Sequence, residues 1–234
     1  MSTFFSVIMP VFNRPQYLEK AIDSALKQTY RGFELIIVDD GSDDQETKLI
    51  LENHRASPHI RVLSQENKGP GAAINYGAPQ AKGEYICRLD SDDLLFPQSL
   101  ETVSTYIEKS PNVDYFYSSR CTIDEGDRFV RTFNSIKFDR NKLLRRNIAK
   151  HFICWKKQSF LEVGGFDESI CYGEDYDLAL RMAEEFEFRN IDEVLYKVRR
   201  GSHKDRISSL FDQKERSIIV EKIQRRARQR IHWS

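Results

Sequence analysis

A chain of 234 residues allows one large domain or two small ones and can bury a sizeable core. Lys+Arg and Asp+Glu both number 36, so net charge gives no reason to expect nucleic acid as a partner. No apolar run approaches the roughly 18 residues of a membrane span, Met1 to Pro10 lacks a charged signal-peptide start, and the four cysteines, without C-x-x-C spacing, read as reduced thiols of a cytoplasmic protein.

The first half alternates strands and helices. Phe4 to Val11 is an almost continuous apolar run, the pattern of a strand buried on both faces, with Pro10 near its end. Asn13-Arg14-Pro15 offers a cap followed by proline in a first helical turn. That helix carries Tyr17/Leu18, Ala21/Ile22 and Ala25/Leu26 as an apolar stripe. Phe33 to Val38 is a second buried strand, which stops at the acidic turn Asp39–Asp44. A helix with Leu49, Ile50 and Leu51 follows, then a strand over Ile60–Leu63. Gly69-Pro70-Gly71 leads into a helix bearing Ala72, Ala73, Ile74, Tyr76 and Ala78. Gly83 sets the start of a strand over Tyr85–Leu89, which breaks into Asp90-Ser91-Asp92-Asp93. Strands separated by helices argue for an α/β fold, a parallel sheet with helices on both faces. Ligands of such sheets sit beyond the carboxyl ends of the strands. Three of those ends are polar here, Pro10–Asn13, Asp39–Ser42 and Asp90–Asp93, and should converge on one crevice.

Three carboxylates within four residues repel one another unless a cation neutralises them. At a strand's C-terminal end they suit a hard divalent ion, Mg2+ or Mn2+, whose coordination substrate phosphates complete. The bland alternative is a solvated turn capping a helix that starts near Pro97.

In the second half, Leu94 to Ile107 reads as a helix with Leu94, Leu95, Leu100, Val103 and Ile107 on its apolar face. Val113–Tyr117 is strand-like, and Ser118–Phe138 is strand-like but irregular, with a turn at Asp124–Asp127. Phe152–Trp155 is a short apolar segment, followed by a helix to Val163 and a Gly164-Gly165 break. Glu174-Asp175 opens another helix, and strands over Phe188–Ile191 and Val194–Val198 follow. From His203 onward nine Lys/Arg stand against four Asp/Glu. There Ile219/Val220, Ile223, Ala227 and Ile231 recur at helical spacing, making Ser209–Ile231 a basic amphipathic helix. Three uses stay open for it: packing on the domain, a homodimer contact, or peripheral docking on the inner face of a membrane.

Six motifs in order carry a resemblance. They are Ser6–Asn13, Glu34–Ser42, Asn67-Lys68-Gly69 with Asn75-Tyr76-Gly77, Gly83–Ile86 running into Asp90–Asp93, Gly164–Glu168, and Glu174–Asp177. Together they resemble glycosyltransferase family 2. The resemblance implies a GT-A fold, a Rossmann-like, mostly parallel sheet flanked by helices, with residues 1–202 as the catalytic domain and 203–234 as a loop and helical tail. Within the domain, 1–110 would bind the nucleotide-sugar and 111–202 would face the acceptor.

It also implies an inverting transfer from a nucleotide-sugar, with UDP preferred because it is common in the family, to a hydroxyl of a glycan or lipid-linked glycan. Carried over, Pro10, Phe12 and Asn13 would line the nucleoside pocket. Asp39, in the turn with Gly41 and Ser42, would contact base or ribose, and Lys68, Asn75 and Asp90 would complete the donor site. Asp92, joined by His203 from the basic loop, would hold Mn2+ or Mg2+. Gly165, Phe166, Asp167 and Glu174 would lie where donor sugar and acceptor meet, and Asp175 would be the general base. Two rivals stay open. Transfer to a polyprenyl phosphate is disfavoured by the lack of hydrophobic C-terminal helices. A non-catalytic sugar-nucleotide-binding or scaffold protein is disfavoured by the intact Asp90/Asp92 and Glu174/Asp175 sets. A nucleotidylyltransferase would need an early glycine-rich loop with Lys or Arg, which the sequence lacks.

Overall fold

The structure, a computed structural model, describes residues 4–200 and 210–230. The elements in chain order are β1 (Phe5–Val11), α1 (Pro15–Leu26), β2 (Phe33–Asp39), α2 (Gln45–His54), β3 (Ile60–Ser64), α3 (Pro70–Gly77), β4 (Tyr85–Arg88), β5 (Leu94–Leu95) and α4 (Ser99–Lys109). Then come β6 (Tyr115–Ile123), β7 (Phe129–Phe133), α5 (Arg140–Arg145), β8 (Ile153–Lys156), α6 (Lys157–Glu162), α7 (Glu174–Glu185), β9 (Phe188–Arg199) and α8 (Gln213–Arg230). The strands form one sheet in the order β3-β2-β1-β4-β8-β6-β9-β5, with β7 paired to β6. β3, β2, β1 and β4 are parallel throughout. Beyond β4 the sheet is mixed: β8 runs antiparallel to β4 and β6, while β6 and β9 are parallel.

All seven residues of β1 are buried because helices cover both faces. Val7 and Met9 enter one core with Leu18, Ala21 and Ile22 of α1. Ile8 enters the opposite core with Ala73 and Ile74 of α3 and with Trp155 of β8. A strand facing water on one side alternates; a strand with a core on each side cannot, which is why this run is continuously apolar. Gly83 is required by close approach. A Cβ there would stand 2.5 Å from the Phe5 carbonyl carbon and the Ser6 nitrogen.

Three expectations change. Leu94 and Leu95 are not helical: they form β5 against Tyr196 and Lys197, and the helix begins at Ser99. Their apolar spacing suits either period, and the pairing edge of β9 decides. The segments Phe188–Ile191 and Val194–Val198 are one strand, β9, whose register on β6 shifts near Ser118–Arg120 and so blurs the period. Asn13 does not cap α1. It has φ +46, and its side-chain oxygen accepts from the backbone of Asp43 and Asp44 (2.9 and 3.2 Å), tying the end of β1 to the turn after β2.

The tail packs on the domain. Ile223 and Ala227 of α8 are buried in the same core as α7. The amide of Gln224 donates to the Arg145 carbonyl (2.9 Å), and Arg230 pairs with Glu184 (2.9 Å). Among the described residues, no helix is long and apolar enough to cross a membrane.

Candidate active site

The end of β4 carries the site. Arg88 is its last residue, and its Nε donates to Asp90 Oδ1 at 2.7 Å. Its Nη1 donates to Glu174 Oε1 at 3.0 Å. One guanidinium therefore joins the Asp-x-Asp turn to the first turn of α7. The backbone N–H of Asp90 donates to the hydroxyl of Tyr196 on β9 at 3.0 Å. Asp92 Oδ2 accepts from Arg14 at 2.7 Å. Asp93 is turned inward: its Oδ1 accepts from the backbone of Arg199, whose Nε donates to the Asp92 carbonyl. The acidic turn is thus fixed from three sides by cationic and backbone donors, which offset the repulsion among its carboxylates.

Helix α7 starts after Gly173, which sits in the left-handed region at φ +78. Glu174, Asp175 and Asp177 occupy its first turn, where the helix dipole favours negative charge. The two leading carboxylates have different partners. Glu174 is nearly enclosed and ion-paired to Arg88. Burial holds its carboxyl above the usual range, Arg88 pulls it back down, and neighbouring Asp175 pushes it up. Asp175 Oδ2 accepts from the Asn147 amide at 3.0 Å, and its Oδ1 accepts from the next backbone N–H. Both residues face a cleft of about 1510 Å3, larger than the roughly 300–1,000 Å3 of a site for one small ligand.

Of the residues singled out in the sequence, Pro10, Phe12, Lys68, Asp90, Asp92, Asp167, Glu174 and Asp175 line this one cleft. The others form its frame. Asp39 accepts from the Ser42 backbone (2.9 Å), and Ser42 Oγ accepts from the Asn13 backbone (3.1 Å). Gly41 has φ +77 and a Cβ there would meet the Asn67 nitrogen at 2.8 Å. Asn75 grips the Phe166 backbone in both directions, donating to its carbonyl (2.9 Å) and accepting from its N–H (2.8 Å). Gly165 lies beside it at φ +69, and Phe166 is a core residue against Trp155 and Phe160. Asp167 is held below the usual carboxylate range by Ser169 and, more weakly, by Arg226. His203 lies outside the described residues.

The sequence reading passed over several residues that the site uses. Asp40, and not Asp39, lines the cleft; its carboxylate accepts from Gln65 and from the backbones of Lys68 and Gly69. Arg88 left a signal, a charge in an apolar strand on the same face as Asp90. Tyr196 and Asn147 left none, since each matters only through a neighbour far away in the chain.

Asp90 and Asp92 fit a divalent cation of the Mg2+ or Mn2+ kind. Such ions take one or two carboxylates and fill the remaining positions with water and substrate phosphate. Asp90 and Asp92 would supply two such carboxylates; among the described residues no group of three His, Cys, Asp or Glu gathers to hold a metal, at this turn or anywhere else.

Comparison with known proteins bears on the whole arrangement. The family model for glycosyl transferase family 2 matches residues 6–162. Chondroitin synthase of Escherichia coli is 32% identical over 216 residues, which are 92% of this chain and 32% of that protein. The chain thus spans about a third of that relative's length. S. aureus TarS 1-349, solved with UDP-GlcNAc, superposes with a TM-score of 0.81 at 20% identity, over 99% of this chain and 68% of that one. The mannosyltransferase PcManGT of Pyrobaculum calidifontis, solved with GDP-Man and Mn2+, gives 0.65 at 18% identity, over 88% and 59%. These likenesses establish the fold expected from the motifs, GT-A.

Proposed function

The chain belongs to glycosyl transferase family 2, and from that premise we propose that it moves a hexosyl or N-acetylhexosaminyl group from a nucleotide-diphosphate sugar, UDP-linked, to a hydroxyl of a glycan or lipid-linked glycan, by metal-assisted single displacement. One observation carries the reading: Asp175 faces the same cleft as Asp90 and Asp92 while its twin Glu174 is committed to Arg88. The turn then faces the donor with Asp90 and Asp92, each ion-paired to an arginine (Arg88 and Arg14), and α7 faces the acceptor with Asp175, which is held by an amide and not by an arginine.

The nucleoside lies along Pro10, Phe12 and Asp40, and the diphosphate lies toward Lys68, Asp90 and Asp92. Asp90 and Asp92 would hold Mn2+ or Mg2+, which would supply Lewis-acid stabilisation to the leaving diphosphate. His203, outside the described residues, would be a further ligand in this reading. Asp175 accepts the proton of the acceptor hydroxyl as its oxygen bonds to the anomeric carbon. The bond from that carbon to the diphosphate oxygen breaks on the opposite face, so the anomeric configuration inverts. Asn147 aims the base by fixing Oδ2. A base so positioned contributes about 10²–10⁴-fold. Arg88 anchors Glu174 to Asp90 and keeps base and donor carboxylates in one register. The packing of α8 on α5 and α7 brings Arg216 and Val220 to the rim of the cleft, a place from which the tail borders the acceptor.

Thermal unfolding against UDP-, GDP- and dTDP-sugars, with Mn2+, Mg2+ or EDTA, tests the reading. A ligand at 100 times its Kd stabilises by about 2.7 kcal/mol. The expected result is a metal-dependent rise in Tm with UDP-sugars. No rise with any donor in any metal would overturn it.

A further inference from the structure

We propose that the half of the cleft beyond Asp90 and Asp92 holds an anionic group, carboxylate or phosphate, carried by the acceptor; the inference rests on the reading of Asp175 as the base. The first observation is Arg120 on β6. It is 9% exposed, it lines the cleft, and its Nη1 has no hydrogen-bond partner. Its guanidinium lies over the Phe133 ring, 4.1 Å from the centroid, and Arg131 and Arg200 stand over the same ring at 4.3 and 6.0 Å. Burial and then Arg200 hold Arg120 below its usual range, against a weaker pull from Asp93. It stays a cation nonetheless, because arginine does not deprotonate in proteins. A buried guanidinium with an unmet donor, crowded by like charges, is costly until an anion arrives.

The second observation is the loop before β8, an independent element. It brings Arg146, Lys150 and His151 to the same cleft. Burial, then Arg120, Lys150, Arg88 and Arg200, push His151 well below its usual range, so this wall keeps its positive charge on the arginines and the lysine. Among the described residues, no carboxylate pairs with Arg120, Arg146, Lys150 or Arg200. This contrasts with Arg14, Arg88 and Arg199, each of which is paired to an aspartate or glutamate.

Position separates this group from the donor. The loop that carries Arg146 and Lys150 also carries Asn147, whose amide holds Asp175. An acceptor whose hydroxyl reaches Asp175 must lie along that loop. The nucleoside takes the other side, at the ends of β1 and β2. Planar guanidinium forks beside a lysine match the oxygens of a carboxylate or a phosphate.

Calorimetric titration of the full chain tests this, with UDP and Mn2+ as the donor-side probe. Three acceptor-side probes follow: a glucuronate-containing tetrasaccharide, its carboxyl-reduced neutral twin, and a glycerol phosphate tetramer. One of the two anionic probes should bind at least about tenfold tighter than the neutral twin, with an affinity that falls as salt rises. Which of the two binds tells carboxylate from phosphate. Arg120→Gln and Lys150→Gln should each weaken that probe about tenfold, the scale of a lost charge-assisted hydrogen bond, and move the UDP Kd less than twofold. Lys150→Gln alters an exposed side chain, so it decides the matter even where Arg120→Gln does not fold. Equal binding of the neutral twin, no binding of either anion, or variants that weaken UDP as much as the anion would each overturn the proposal. Failure of UDP itself to bind would instead count against the donor site.

Discussion

Replacing Arg88 by methionine keeps most of the side chain's volume and removes its charge. The structure sets the magnitude. The side chains of Arg88 and Glu174 are each 14% exposed, and their ion pair is 3.0 Å long. Removing one partner of a buried pair strands the other charge, at about 3–5 kcal/mol. For a chain of this size each kcal/mol moves Tm by about 2–4 °C, so a fall of roughly 10 °C is expected at pH 7. The sign of the pH dependence follows from Glu174. Burial already raises its folded pKa, and Arg88 opposes that rise. Without Arg88 the folded pKa climbs further above the unfolded one. Between the two values the folded chain binds more protons than the unfolded chain, so stability falls as pH rises and returns as pH drops. The gap between Arg88→Met and the unaltered protein should therefore narrow from pH 8 to pH 5. Tm by circular dichroism at four pH values measures it. A loss below about 1 kcal/mol at pH 7, or a gap of constant width, would refute the account of Arg88 as the tie between the two motifs.

Three further outcomes can be checked. Asp175→Asn should lower turnover by about 10²–10⁴-fold and leave UDP affinity within twofold; normal turnover would move the base elsewhere. Asp92→Ala should abolish the difference in donor-induced Tm shift between Mn2+ and EDTA, and persistence of that difference would remove Asp92 from the metal site. Gly165→Ala should cost about 2–3 kcal/mol, since the backbone is left-handed there and the new Cβ would stand 2.4 Å from Asn75 Oδ1. Pairing it with Asn75→Ala should cost less than the two changes added together, and strict additivity in urea unfolding would show that the clash is not the cause.

Local pattern carried far in this chain. The apolar runs of β1 and β2 and the stripe on α1 follow from burial on both faces or on one, and these are properties of consecutive residues. The short pair Leu94–Leu95 shows where pattern stops. Two leucines fit a helix or a strand, and only the presence of Tyr196 and Lys197 alongside makes them β5. The same holds for the site. Asp90, Asp92, Glu174 and Asp175 stand out in the sequence because carboxylates cluster there. Nothing local says that Glu174 is neutralised by Arg88 while Asp175 is held by Asn147, or that Asp39 closes its own turn while Asp40 lines the cleft.

The sequence by itself therefore determined the order of elements, the family and the acidic positions at the strand and helix ends, because periodicity and turn chemistry act over a few residues. The tertiary structure alone decided which carboxylates are spent and which are offered, and where unpaired cations gather. Those outcomes depend on desolvation and on hydrogen-bond partners 28 to 106 residues away in the chain, brought within 3 Å or so only once β4, β6, β8 and β9 lie side by side.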